Sequence, residues 1–91
     1  MKAIQVFYEG RVQGVGFRYS VRQITKGFNV TGWVRNNADG TVEVMAEGPR
    51  EQLDELLAFL QVGSPAAEVK EVREHWHEAT DEFTDFRTRY A

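Results

Sequence analysis

Three glycines lie within seven residues near the start of the chain, and an arginine follows two positions later. The seven residues are Gly10, Arg11, Val12, Gln13, Gly14, Val15 and Gly16, called the glycine loop below. Glycines spaced in this way let successive backbone N–H groups turn toward one point, and a following helix N terminus adds partial positive charge there. Arg18 supplies a permanent charge and a planar set of donors that can hold two phosphate oxygens at once. The segment therefore favours binding of one tetrahedral dianion, such as a phosphoryl group.

This pattern differs from two well-known phosphate-binding loops. No Gly-Lys-Ser/Thr sequence follows it, which excludes a Walker loop. Gly14 and Gly16 also lack the third glycine, three residues later, that a dinucleotide-binding fingerprint requires. The competing interpretation is a tight strand-to-helix turn beside a surface arginine.

Charge is unevenly distributed along the 91 residues, whose formal net charge is −3. Seven basic and four acidic residues give +3 in residues 1–50, whereas four basic and ten acidic residues give −6 in residues 51–91. An acidic chain binds long polyanions poorly, so no nucleic-acid partner is expected.

The absence of cysteine excludes a disulfide framework, a thiolate metal site and a cysteine nucleophile.

Length and hydropathy predict a single domain over residues 1–91, with no room for a second, cofactor-binding domain. No apolar stretch approaches the roughly 18 residues of a membrane span, and no segment has the pattern of a signal peptide. We therefore expect a cytoplasmic protein without a membrane partner, and a monomer is the expectation from size.

Hydrophobic periodicity predicts the elements that position the glycine loop. Strands are expected over residues 3–9, 30–36, 41–47, 67–77 and 85–90, with helices over residues 17–28 and 49–60. Asn29 is expected to end the first helix in a left-handed conformation, and Gly63-Ser64-Pro65 to end the second.

Two of the strands allow finer predictions. Residues 41–47 alternate as in a sheet with one buried face, so polar side chains such as Glu43 are expected to point outward. In residues 67–77, two valines are three positions apart, which predicts a bulge near Lys70 and Glu71.

The order βαββαβ with a short terminal strand predicts a ferredoxin-like α+β sandwich, an antiparallel sheet with both helices on one face. The first and second strands of a βαβ unit run parallel, so their carboxyl ends lie at the same edge. The glycine loop and Asn36 are therefore expected to be neighbours.

Two segments resemble the signatures of the acylphosphatase family: GRVQGVGFR at residues 10–18 and GWVRNNADGTVEV at residues 32–44. The resemblance runs the length of the chain, to the closing TDFRTRY. It implies the ferredoxin-like fold and hydrolysis of small-molecule acyl phosphates to carboxylate and phosphate, without a metal or other cofactor. By position, it implies that the glycine loop and Arg18 bind the phosphate, that Arg18 is catalytic, and that Asn36 orients the attacking water. It further implies that a phosphate oxygen of the substrate accepts the proton of that water.

Titratable side chains have a small part in this interpretation. Neither signature contains a titratable base apart from Asp39, which is predicted to lie in a turn, so we expect no essential histidine or carboxylate. His75 and His77 share one strand face and could hold a metal ion, but the only further potential ligand on that face is Glu71. We therefore interpret the two histidines as surface residues. The acidic residues 81, 82 and 85 are interpreted as part of an exposed loop over residues 78–84 and the start of the last strand.

Two other functions are compatible with this fold. An RNA-binding module would place stacking aromatics on the third strand, and residues 41–48 contain none. A sensing or carbamoyl-transfer accessory domain would retain the anion site, and the lack of any additional domain in the predicted organisation disfavours this alternative.

Overall fold

A computed structural model describes residues 1–61 and 66–90. The strands are β1 (Lys2–Arg11), β2 (Thr31–Asn36), β3 (Val42–Gly48), β4 (Glu68–Glu78) and β5 (Phe86–Thr88), and the helices are α1 (Phe17–Thr25) and α2 (Arg50–Leu60). The predicted order of elements is confirmed. The end predicted for the second helix at Gly63-Ser64-Pro65 lies outside the described residues.

The end of α1 differs from the prediction. The N–H groups of Gly27 and Phe28 donate to Ile24 O and Thr25 O at 3.1 Å, a three-residue spacing that tightens the chain and ends the α-helix at Thr25. Asn29 does not adopt the predicted left-handed conformation.

The sheet has the order β4-β1-β3-β2-β5. The first four strands pair antiparallel, but β5 pairs parallel with β2, so the prediction of a wholly antiparallel sheet is wrong for this edge. The cause is the path of residues 79–85. They cross the sheet at the end where β4 finishes, so β5 has to run antiparallel to β4. Because β2 is also antiparallel to β4, β5 is parallel to β2.

A bulge interrupts the pairing of β1 with β4, as predicted. Glu9 lies opposite Glu71 and Gly10 opposite Val69, which leaves Lys70 as the extra residue. Gly10 has φ 130°, and a Cβ there would overlap Glu68 O. Glycine is therefore required where β1 enters the glycine loop.

The hydrophobic core lies between one face of the sheet and the two helices, which also contact each other. Its central side chains are Ile4, Val6 and Tyr8 from β1, Val42, Val44 and Ala46 from β3, Phe17 and Val21 from α1, and Leu53, Leu56 and Leu60 from α2. No helix among residues 1–61 and 66–90 is long and apolar enough to cross a membrane.

The opposite face of the sheet corrects the expectation for β3. Glu43 and Glu47 point away from the helices, yet they are only 3% and 2% exposed. Glu47 accepts hydrogen bonds from the Thr80 N–H, the Thr80 hydroxyl and the Asp81 N–H at 2.7–2.9 Å. The segment interpreted as an exposed loop thus covers a buried carboxylate and supplies the donors that its burial requires.

Replacing Glu47 by glutamine is expected to make stability less dependent on pH. Burial raises the pKa of Glu47, but the hydrogen bonds from Thr80 and Asp81 outweigh it, so the pKa in the folded protein is lower than usual. The stabilisation is complete above the ordinary carboxyl pKa of about 4.3. It is lost as the pH falls from there through the lowered pKa of the folded state. Urea unfolding at pH 7 should show the Glu47→Gln variant less stable by about 2 kcal/mol.

This deficit should shrink as the pH is lowered, because the wild type alone loses the contribution of the carboxylate. Glu78→Gln is the matched control, since Glu78 pairs with Lys2 in solvent. An equal deficit for Glu47→Gln at pH 7 and at acidic pH would contradict the assignment.

Candidate functional site

The glycine loop opens toward solvent at the N terminus of α1. Gly14 has φ 73° and Gly16 has φ 80°, and Gly16 is the N-cap residue of the helix. A Cβ at either position would meet no atom within 4 Å, so backbone conformation rather than crowding requires glycine there. The N-cap residue Gly16 has no side chain, so it cannot cap the free N–H groups of the first turn of α1.

Arg18 lies in the first turn of α1 and is partly buried. In the described part of the chain it forms no salt bridge with a carboxylate. Its guanidinium carbon lies 5.5 Å from the ring centroid of Tyr90, which follows β5. The positive charge of Arg18 is thus available to an anion, while the aromatic ring contacts the guanidinium.

A cavity of about 250 Å³ brings these groups together. Its lining residues are Val12, Gly14, Gly16, Phe17, Arg18, Tyr19, Arg22, Thr88 and Tyr90. Arg22 was not identified from the sequence, although its position four residues after Arg18 on the same helix places both on one face. Asn36 is not among the lining residues.

Asn36 ends β2 at the same edge of the sheet as the glycine loop. It pairs with Val42 of β3, and Tyr8 of β1 pairs with Val42 from the other side, so Asn36 and Tyr8 lie in one row on the helix-covered face. The Gln13 side chain contacts Asn37 O at 2.8 Å, one residue beyond Asn36. The predicted proximity of the loop to the end of the second strand is confirmed.

Two polar atoms in this row are buried without a hydrogen-bond partner within the described residues: Asn36 Oδ1 and the Tyr8 hydroxyl oxygen. Burial, and then the negative charge of Glu74, raise the pKa of Tyr8 well above its ordinary value, so its hydroxyl stays protonated at neutral pH. An unpaired buried acceptor is unfavourable for stability, which makes Asn36 a candidate for a functional contact.

The other titratable candidates lie elsewhere. His75 and His77 are on the face of β4 away from the helices, where His75 meets Phe7 edge to face with ring centroids 6.0 Å apart. Within residues 1–61 and 66–90, no group of three or more His, Cys, Asp or Glu side chains is placed to hold a metal. Hydrogen bonds from the backbone N–H and hydroxyl of Thr41 lower the pKa of Asp39, which caps the β2–β3 turn.

The fold and the site together define a class of protein: a small α+β domain of ferredoxin-like topology with an open glycine loop and an arginine at the start of its first helix. Residues 4–88 match the family model described as Acylphosphatase. The chain therefore belongs to the acylphosphatase family, a family of hydrolases. The predictions of family, fold and enzyme class are confirmed.

Similar proteins include separate acylphosphatases and part of a longer protein. An acylphosphatase of Pyrobaculum islandicum is 46% identical over 90% of this chain and 87% of its own. The crystal structure of acylphosphatase from Bacillus subtilis superposes with a TM-score of 0.95 at 34% identity, over 99% of this chain and 100% of that one. Full-length HypF in its phosphate- and nucleotide-bound form matches at 28% identity and TM-score 0.87, but the match covers only 12% of that chain.

Proposed function

We propose that the protein hydrolyses small-molecule acyl phosphates, with water cleaving the carboxyl-phosphate anhydride to give a carboxylate and inorganic phosphate, and that it needs no metal. The observation that carries this proposal is the open cavity lined by Gly14, Gly16 and Arg18 at the start of α1, where the N-cap residue Gly16 has no side chain to cap the helix. A phosphoryl group placed there meets backbone N–H donors, the positive end of a helix and a guanidinium.

In this proposal the glycine loop and Arg18 bind the phosphoryl group and stabilise its transition state. An acyl phosphate is already activated, so catalysis consists mainly of positioning and of stabilising negative charge. The donors accelerate the reaction to the extent that they bind the transition state better than the ground state. The Arg18 fork can contact two phosphoryl oxygens at once, which fixes the orientation of the group.

Asn36 orients the attacking water. An amide does not titrate at neutral pH, so it cannot act as a general base. Its oxygen can accept a hydrogen bond from a water molecule while its NH₂ group donates one, which directs the water toward phosphorus. The unpaired state of Asn36 Oδ1 supports this role, because a bound water would supply the missing partner.

The proton of the water passes to an oxygen of the substrate's own phosphate group. None of the described side chains that line the cavity is a histidine or a carboxylate, which supports a route without a protein base. The partner in this proposal is the small-molecule substrate, and neither a nucleic acid nor a membrane takes part. All the assigned groups belong to one chain, so a monomer would be sufficient for the reaction.

Hydrolysis of acetyl or benzoyl phosphate is expected to continue unchanged in excess chelator and in the His75→Ala, His77→Ala double variant. Both histidines lie on the sheet face opposite α1, so their loss should not alter the pH profile of kcat/KM. Steady-state rates from pH 5 to 9 measure this.

Two outcomes would contradict the proposal. Loss of turnover in chelator would establish a metal requirement, and loss of a bell-shaped profile in the histidine variant would identify a protein base. Binding of the acyl phosphate, displaceable by inorganic phosphate but without turnover, would favour a sensing or accessory role.

A further inference from the structure

The side chain of Gln13 turns away from the open side of the glycine loop. Its Nε2 donates to Asn37 O at 2.8 Å and to Thr41 O at 2.9 Å, across 24 and 28 residues of sequence. Both partners are carbonyl oxygens, so only the amide nitrogen satisfies them and the orientation of the amide is fixed. The Gln13 side chain therefore joins the glycine loop to the β2–β3 turn.

The turn that receives these bonds is itself rigid. Asn37 N donates to Thr41 O at 2.9 Å, and Asn37 Nδ2 donates to Thr41 Oγ1 at 3.0 Å and to Glu43 Oε1 at 3.2 Å. Glu43 is in turn held by Gln5 at 2.7 Å and by two bonds from Arg35 at 3.0 and 3.1 Å. The residue that follows Asn36 is thus fixed through its backbone and its side chain.

We propose that Gln13 is a positioning residue that sets the distance between the phosphoryl group in the glycine loop and the water held by Asn36. This inference rests on the proposed function. A loop with three glycines has many accessible backbone conformations, so an anchor to the turn narrows them to the one aligned with Asn36. Misplacement of reacting groups by about 1 Å costs on the order of 10²-fold in rate.

Gln13→Met tests the inference, because methionine has a similar length and lacks the donor. We expect kcat for benzoyl phosphate to fall by about 10- to 100-fold. The KM and the inhibition constant of inorganic phosphate should change little, since the backbone donors and Arg18 remain. Gln13→Lys, which restores a donor to both carbonyls, should recover most of kcat.

Gln52→Met is the matched control. Gln52 also forms a long-range hydrogen bond, its Oε1 accepting from Asn29 N at 3.0 Å, but it lies on α2 outside the cavity. The Gln52→Met substitution removes a tertiary hydrogen bond of similar range, so it should change the free energy of unfolding without changing kcat.

A double-mutant cycle separates positioning from a structural role. When Asn36 is already alanine, Gln13→Met should cost much less than in the wild type, because there is no oriented water left to align. An equal loss of kcat in both backgrounds would overturn the inference, as would a loss confined to KM. If Gln13→Met does not fold, the same cycle is measured with Gln13→Ser, whose shorter side chain does not reach the turn.

The failure of the inference is distinguishable from failure of the proposed function. Wild-type kcat in Gln13→Met beside inactive Arg18→Ala and Asn36→Ala would overturn only the positioning role. Full activity in all three variants would reject the proposed function as well.

Discussion

Replacing Arg18 by alanine is expected to lower kcat/KM for an acyl phosphate by about 10²–10³-fold, the effect of losing one strong donor to the transition state. In the described part of the chain no carboxylate is paired with this guanidinium, so its charge is available to the phosphoryl group. Arg18→Lys should recover only part of the loss, because an ammonium keeps the charge but not the planar pair of donors.

The measurement is steady-state hydrolysis of benzoyl phosphate, together with the inhibition constant of inorganic phosphate. Arg50→Ala is the matched control, since Arg50 is an exposed arginine in the first turn of α2 that pairs with Asp54. If Arg18→Ala turns over at the wild-type rate, as Arg50→Ala is expected to do, the phosphoryl group does not bind at this cavity.

Arg18→Ala should not unfold the protein. Its described aromatic contact is to Tyr90, a residue that is 79% exposed, and contacts of this kind contribute little to the free energy of unfolding. A loss of activity at an unchanged melting temperature therefore reports on the site rather than on folding.

The sequence was sufficient to predict the framework of the site. Apolar spacing defines the strands and helices, and the parallel directions of β1 and β2 bring the glycine loop to Asn36 without any knowledge of side-chain contacts. The bulge at Lys70 was also predictable, because a slipped alternation requires an extra residue.

The burial of individual side chains and their hydrogen-bond partners from distant parts of the chain were not predictable in this way. Alternation correctly predicts that Glu43 faces away from the helices, but not that Gln5, Arg35 and Asn37 surround it there. The parallel pairing of β5 depends on the path of residues 79–85, which carries no periodic signal. Gln13 could be identified as part of the loop, but not as its anchor, because both of its partners are backbone carbonyls and any sequence supplies those.

Replacing Asn36 by alanine is expected to lower kcat by about 10²-fold, the cost of losing the orientation of the attacking water. KM should remain close to that of the wild type, because the glycine loop and Arg18 are unchanged. The measurement is the kcat and KM of benzoyl phosphate hydrolysis. Asn29→Ala is the matched control, since Asn29 is exposed and its contact to Gln52 uses the backbone N–H.

The same substitution should not destabilise the protein. Asn36 Oδ1 is buried without a partner, and an unsatisfied buried acceptor costs about 1–3 kcal/mol, so its removal offsets the loss of side-chain packing. Tyr8→Phe removes the other unpaired oxygen of the row and should likewise keep or raise the free energy of unfolding in urea. Because the proposed mechanism gives Tyr8 no part in binding the phosphoryl group or the water, kcat should stay unchanged in that variant.

Measuring both the free energy of unfolding and the kcat of Asn36→Ala distinguishes two reasons for a buried unpaired oxygen. If Asn36→Ala keeps the free energy of unfolding but loses kcat, the unpaired oxygen is maintained for a ligand, at the expense of stability. If it instead loses several kcal/mol of stability and keeps kcat, Asn36 is a structural residue at the end of β2. The attacking water would then have to be oriented by another group near the glycine loop.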